Sequence, residues 1–217
     1  MTRSSFPVIL TGAALDRCIV VGGGTVAERK VRALLDGDAQ VHIISPTLTA
    51  GLQELATNGA IELSARPYHD GDLPGATLVV AATDDRATNA AIADEARRLQ
   101  LLVDVVDDPG ASTFSSPATI RRGDLLITAS TGGTSPAMAA FVRRTLEQAI
   151  GPEYGALLAL CGRLRSTILD EVPPHARKEL WEQLASERML RMLREASPLE
   201  AEAEASRLIA AARSTTG

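Results

Sequence analysis

An α/β fold built on a doubly wound parallel sheet is what this sequence predicts, and three observations predict it. Short β-branched or aliphatic runs at residues 19–21, 40–44, 61–66, 77–82 and 101–106 alternate with helical or loop stretches, the pattern of a parallel sheet whose strands are joined by crossovers. The first run opens without interruption onto Gly22, Gly23 and Gly24, with a helix immediately behind them. After Pro152 the apolar spacing is helical, which sets a helical domain apart from the sheet.

In chain order, residues 7–10 read as a short edge strand, and Thr11-Gly12 as the turn leading into the first buried strand. Residues 25–35 carry Val26, Val31, Leu34 and Leu35 at helical spacing with Glu28, Arg29, Lys30 and Arg32 between them, so a helix starts at the glycine turn. It ends near Asp36-Gly37, where glycine suits a left-handed position, and residues 40–44 make the second strand. A helix over 48–57, a strand over 61–66, a polar loop over 67–75, a strand over 77–82, a helix over 87–99 and a fifth strand over 101–106 follow. Further on, residues 125–129 form a strand, Ser135 and Pro136 supply the N-cap and first position of a helix to about Ile150, and Pro173-Pro174 interrupts the later helices. The expected domains are 1–113, a small α/β region over 114–150, and a helical domain over 151–217.

Gly22-x-Gly24-x-x-Ala27 fits the dinucleotide-binding fingerprint with alanine in the third place. Gly22 permits the tight turn, Gly24 lets the backbone approach a pyrophosphate, Ala27 lets helix and strand pack closely, and the helix N-terminus offers unpaired N–H groups. The strand before and the helix after supply the context that the fingerprint requires. An acid roughly 20 positions beyond the glycines usually takes the ribose hydroxyls, but that neighbourhood here is Ser45-Pro46-Thr47. These residues either handle the ribose or cap the helix behind them. With no carboxylate to exclude a 2′-phosphate, NAD and NADP both stay open. Thr83, Asp84 and Asp85 end another strand and either line the cofactor crevice or cap the next helix, and capping is expected of at least one aspartate.

A chain of 217 residues buries a proper core in one or two domains. Cys18 and Cys161 have no partners at metal-ligand spacing, and His42, His69 and His175 form no cluster with them, so buried thiols in a reducing compartment and no fixed metal site are expected. No stretch has the length of a membrane span or the form of a signal peptide, which points to a soluble, cytoplasmic protein. A net charge of −5 and 3% aromatic residues argue against nucleic acid as a partner.

The strand over 101–106 runs into Asp107-Asp108-Pro109-Gly110, which places Asp107 at the carboxyl end of a strand, on the side of the glycine turn. A carboxylate there could exchange a proton while a hydride passes to a nicotinamide, and Asp104 would raise its pKa by like-charge repulsion. Asp-Pro-Gly is equally ordinary turn chemistry, so a solvated turn is the competing reading. Beyond the sheet, Ser130, Thr131, Gly132, Gly133, Thr134 and Ser135 bring hydroxyls and glycine N–H groups to a helix N-terminus, a set suited to an anion. Arg121, Arg122, Arg143 and Arg144 nearby are either grips for carboxylates or a solvated face.

The ordered motifs VVGGGTVAERKVRALLDGDAQVHIISP, AATDD, VDVVDDP with Phe114 and Ser116-Pro117-Ala118, and ITASTGGTSPAMA resemble, over residues 5–150, the dehydrogenase/chelatase family of siroheme synthesis. The resemblance implies a Rossmann-like NAD-binding domain, a dimerisation and substrate region, and a homodimer. It implies oxidation of precorrin-2 to sirohydrochlorin with NAD⁺ as hydride acceptor, followed in some members by insertion of ferrous iron as a substrate. The family's acid/base aspartate falls on Asp107, and its cofactor contacts fall on Thr25, Val26, Pro46 and Thr47. The loop from Ser130 to Ser135 would then grip the carboxylates of the macrocycle. Where the family commonly has asparagine before VVD, this chain has Asp104, which bears on the proton affinity of the pair and on iron insertion. Two alternatives stay beside this reading: a dehydrogenase served by a separate chelatase, and an NAD-sensing regulatory module, which would need the glycine turn but not Asp107. No methyltransferase domain is expected in the chain, so the methylations that make precorrin-2 would come from another protein.

Overall fold

In the structure, a computed structural model that describes residues 5–195 and 197–214, two compact units divide the chain, Met1–Ser116 and Pro117–Gly217. The first is built on β1 (Cys18–Val21), β2 (Val41–Ile44), β3 (Glu62–Ser64), β4 (Leu78–Ala81) and β5 (Leu102–Val105). All five pair in parallel in the order β3-β2-β1-β4-β5. Every residue of β1 and β4 is buried, which is why they read as unbroken aliphatic runs: a central parallel strand has both faces covered.

The two faces can be followed residue by residue. Ile19, Val21, Val79, Ala81, Val103 and Val105 join Ile92, Ala93 and Ala96 of α3 (Arg86–Arg98) in one core. Cys18, Val20, Val41, Ile43 and Val80 join Ala27 and Val31 of α1 (Thr25–Leu35) and Leu52 of α2 (Ala50–Thr57) in the other. The sheet is therefore wound on both sides, with the order reversing between β1 and β4, where such folds open a crevice. No helix joins β3 to β4. The connecting loop packs on the α3 face instead, and the buried Glu95 carboxylate anchors it by accepting the Tyr68 hydroxyl and the N–H groups of Gly71 (3.0 Å) and Leu73 (3.4 Å). Burial and that same carboxylate push the Tyr68 hydroxyl far above its ordinary pKa.

Several local expectations are corrected. Residues 7–10 form no strand: Pro7 has no N–H for a ladder, Phe6, Val8 and Ile9 stay exposed, and Gly12–Leu15 forms a 3-10 turn. At the end of α1 the left-handed residue is Asp38 (φ 59°) and not Gly37. Two tight bonds, Gly37 N–H to Leu34 O (2.9 Å) and Asp38 N–H to Leu35 O (3.0 Å), carry the turn further, and aspartate accepts that conformation. The helix expected from residue 48 begins at Ala50 and is capped by Thr49, whose hydroxyl accepts the Leu52 N–H. Neither Ser45 nor Thr47 is its cap.

The second unit holds β6 (Ala118–Arg122), β7 (Leu125–Ala129), α4 (Pro136–Ala149), α5 (Pro152–Glu171), α6 (Pro174–Leu184), α7 (Glu187–Glu195) and α8 (Pro198–Arg213). β6 is an addition to the sequence reading; it pairs antiparallel with β7 across Gly123-Asp124, and Gly123 takes the positive φ of 58° that such a tight hairpin requires. Ser135 and Pro136 stand at the N-cap and first position of α4 as expected. Helices α5 to α8 share a core of Leu157, Leu160, Ile168, Leu180, Leu184, Met189 and Ile209. Among the described residues no helix is long and apolar enough to cross a membrane.

Candidate active site

The glycine turn is shaped by what stands against it. Gly22 has φ 119°, its N–H donates to Ile44 O (3.0 Å), and a Cβ there would lie 2.2 Å from Ala82 O. A side chain at Gly23 would lie 1.8 Å from Thr47 O, and Gly23 O accepts the Thr49 N–H (2.9 Å). These two glycines therefore let the turn close against its neighbouring strand ends. Gly24 differs: a Cβ there would meet nothing within 4 Å. It is the N-cap of α1 and offers no side chain to the first N–H groups, whereas α2 and α3 have Thr49 and Asp85 in that place. An open approach to a bare helix N-terminus is a cradle for a phosphate, and Thr25 and Val26 are the first helical residues beside it.

The neighbouring strand ends are at the same edge because the sheet is all parallel. After β2, Ser45 is buried and its hydroxyl donates to Thr47 O (2.7 Å), so it holds the turn that presents the exposed Pro46 and Thr47. After β4, the Thr83 hydroxyl donates to Oδ1 of the buried Asn89 (2.8 Å), whose amide donates back to Thr83 O (2.9 Å). Asn89 is absent from the sequence reading; an amide at helical spacing from Ile92, Ala93 and Ala96, on the face of α3 that turns inward, was the available signal. Asp85 caps α3 by accepting the N–H groups of Ala87 (3.2 Å) and Thr88 (3.0 Å), which bears out the capping expected of one aspartate. The Thr88 hydroxyl first, then these N–H groups, hold the Asp85 carboxyl below its ordinary pKa. Asp84 is left exposed beside it.

On β5 and in the turn after it stand three aspartates with three different surroundings. Asp104 is buried on the strand and pairs with Lys30 of α1, Nζ to Oδ2 at 2.6 Å. This corrects the expectation of a bare like charge acting on Asp107. Asp108 accepts the Ala111 N–H (3.0 Å) and its carbonyl accepts the Ser112 hydroxyl (2.9 Å), so it builds the turn. Asp107 is exposed, takes the left-handed conformation with φ 63°, and makes no side-chain hydrogen bond or ion pair among the described residues. Backbone held in a sparsely populated region, with its carboxylate left open, is a pattern that clusters at functional sites.

In the second unit the loop from Ser130 to Ser135 is also internally braced. Thr131 Oγ1 donates to Ser135 O (3.1 Å), Gly132 N–H donates to Ser130 Oγ (3.2 Å), and Ser135 Oγ accepts the Met138 N–H (3.2 Å). Gly132 and Gly133 carry positive φ, 61° and 81°, and Thr134 is exposed at the tip. Of the four arginines, Arg143 pairs with Glu147 (2.6 Å) and Arg122 Nε donates to Ile150 O (3.1 Å), while Arg121 and Arg144 are exposed.

Two family models match the chain, one described as "Putative NAD(P)-binding" over residues 11–118 and one as "Sirohaem synthase dimerisation region" over 153–209. The siroheme synthase of Methylococcus capsulatus is 43% identical over 166 residues, 76% of this chain and 35% of its own length. The chain belongs to the siroheme synthase family. Another member, from Pseudomonas paraeruginosa, is 37% identical over 185 residues, 85% of this chain and 40% of its own. The chain thus spans well under half the length of these curated relatives. A solved structure titled "SirC, precorrin-2 dehydrogenase" shares the fold with TM-score 0.76 and 23% identity, covering 94% of this chain and 100% of that one. The first model places a nicotinamide dinucleotide, NAD or NADP, on the unit that carries the bare glycine turn.

Proposed function

We propose that this protein oxidises precorrin-2 to sirohydrochlorin with NAD⁺, giving NADH and a proton. The observation that carries the reading is the Asp107 carboxylate, unpartnered among the described residues and held in a left-handed turn at the same sheet edge as the bare N-terminus of α1. Family membership supplies the substrate class: one relative is titled siroheme synthase, and the protein of like fold is titled precorrin-2 dehydrogenase.

Gly22, Gly23 and Gly24 with Thr25 and Val26 would hold the pyrophosphate, Pro46 and Thr47 the adenosine ribose, and Thr83 and Asp84 the crevice beside them. When bound, the nicotinamide supplies the hydride acceptor. Asp107 accepts the proton that leaves the macrocycle as the carbon–hydrogen bonds are replaced by a new double bond, the role of a positioned general base. Ser130, Thr131, Gly132, Gly133, Thr134 and Ser135 would bind substrate carboxylates. Ferrous iron, where inserted, is a second substrate received by the same carboxylate.

The protein works as a homodimer in this reading. Support comes from α4, which has no buried residue and leaves Met138 and Phe141 50% and 55% exposed, an apolar face of the kind a second copy covers. Anaerobic incubation with precorrin-2 and NAD⁺ tests the reaction. NADH and sirohydrochlorin appear together if it is right, and measurable NAD⁺ binding without product would favour a sensing module. Ferrous iron added afterwards separates a dehydrogenase from an enzyme that also inserts metal.

A further inference from the structure

Among the described residues of the first unit two carboxylates are buried, Glu95 and Asp104. The set around Glu95 holds the β3–β4 loop and is internal to it. The other joins the two halves of the proposed site. Val103 and Val105 face the α3 side of the sheet, so Asp104 between them faces the α1 side, in register with Val80. There its Oδ2 meets Lys30 Nζ at 2.6 Å, with the side chains only 9% and 17% exposed. Ser116 Oγ completes the set, 3.1 Å from Lys30 Nζ and 3.4 Å from Asp104 Oδ2.

The connectivity gives this set its meaning. Lys30 lies on α1, whose N-cap is Gly24, and Asp104 lies on β5, three residues before Asp107 in the turn that follows the strand. Ser116 ends the return segment whose Thr113 and Ser112 hydroxyls accept the N–H groups of Val103 (2.8 Å) and Val105 (2.9 Å) along the free edge of β5. A buried ion pair gives little net stability compared with two apolar side chains of the same volume, because desolvation cancels much of the attraction. What it does give is a directional link between two elements.

We infer that Lys30 and Asp104 are positioning residues: their ion pair fixes the strand end bearing Asp107 relative to the helix that begins at the glycine turn. The catalytic consequence rests on the proposed function; the positional claim does not. Asp104 acts through the backbone it anchors, and its charge is met by Lys30 rather than turned on Asp107.

The test uses the full chain with the double variant Lys30→Met/Asp104→Leu, which removes both charges at similar volume, and with Asp104→Asn, which keeps an acceptor for Lys30. Three readouts are taken: melting temperature, amide hydrogen exchange over residues 105–114, and kcat with KM for NAD⁺ in precorrin-2 oxidation. The expected result for the double variant is a melting temperature near the wild type and exchange in that segment at least about tenfold faster. Its kcat falls by roughly tenfold or more, with KM for NAD⁺ within about twofold. Asp104→Asn restores exchange and kcat to within about threefold of the wild type. Wild-type exchange and kcat in the double variant overturn the inference, and so does faster exchange spread evenly over the chain with a lowered melting temperature, the mark of a general stabiliser. If wild-type protein makes no NADH while exchange responds as expected, the proposed reaction fails and the positional role stands.

Discussion

The parallel sheet and the β6–β7 hairpin with α4 are built from similar residues and finished differently. In the sheet, β1 and β4 are buried at every position and each face has its own helices. In the hairpin only Ile120 is buried, and α4 buries nothing although it carries Met138, Phe141, Val142 and Leu146. The difference separates two uses of apolar surface. A sheet completed by its own chain leaves its carboxyl edge free to carry polar, strained and open groups, whereas a helix left uncovered is surface prepared for another molecule.

Four substitutions act on the two regions with decreasing effect. Leu180→Ala, in the completed core of α5 to α8, should cost about 3 kcal/mol in urea unfolding. Gly22→Ala places a methyl against Ala82 O at a φ that L-residues avoid. It should cost about 2 kcal/mol and abolish nucleotide binding by titration calorimetry. Thr49→Ala removes the cap of α2 and should cost about 1 kcal/mol. Phe141→Ser should leave unfolding of the monomer within about 0.5 kcal/mol, yet weaken self-association in sedimentation. An effect at Phe141 as large as at Leu180 would mean that α4 is core after all.

The cap at Asp85 adds a pH dependence. Its folded pKa lies below its unfolded value, so its stabilising contribution is complete above about pH 3.9 and is lost as pH falls through the lower folded value. Thermal melts should show Asp85→Asn diverging from the wild type at neutral pH and converging with it in acid.

Much of this was legible in the residues because local chemistry decided it. The glycine turn, the alternation of strands and helices, Ser135-Pro136 and Pro173-Pro174 each act through backbone preferences within a few residues. What escaped depended on contacts distant in sequence. Asp104 looked like a like charge on Asp107 because Lys30 stands 74 residues away. Thr49 rather than Ser45 caps α2 because Gly23 O and the Ser45 hydroxyl hold the turn after β2 in place. Residues 7–10 resembled a strand only while nothing showed that no neighbour pairs with them.

The role of Asp107 as the base is tested by the rate of NADH formation from precorrin-2 by Asp107→Asn, beside its affinity for NAD⁺. Asparagine also accepts the left-handed turn, so the backbone is kept and only the proton-accepting group is lost. The expected result is a fall of at least about 100-fold in rate with NAD⁺ affinity unchanged. A folded variant that turns over within about threefold of the wild type would show that Asp107 is not the base.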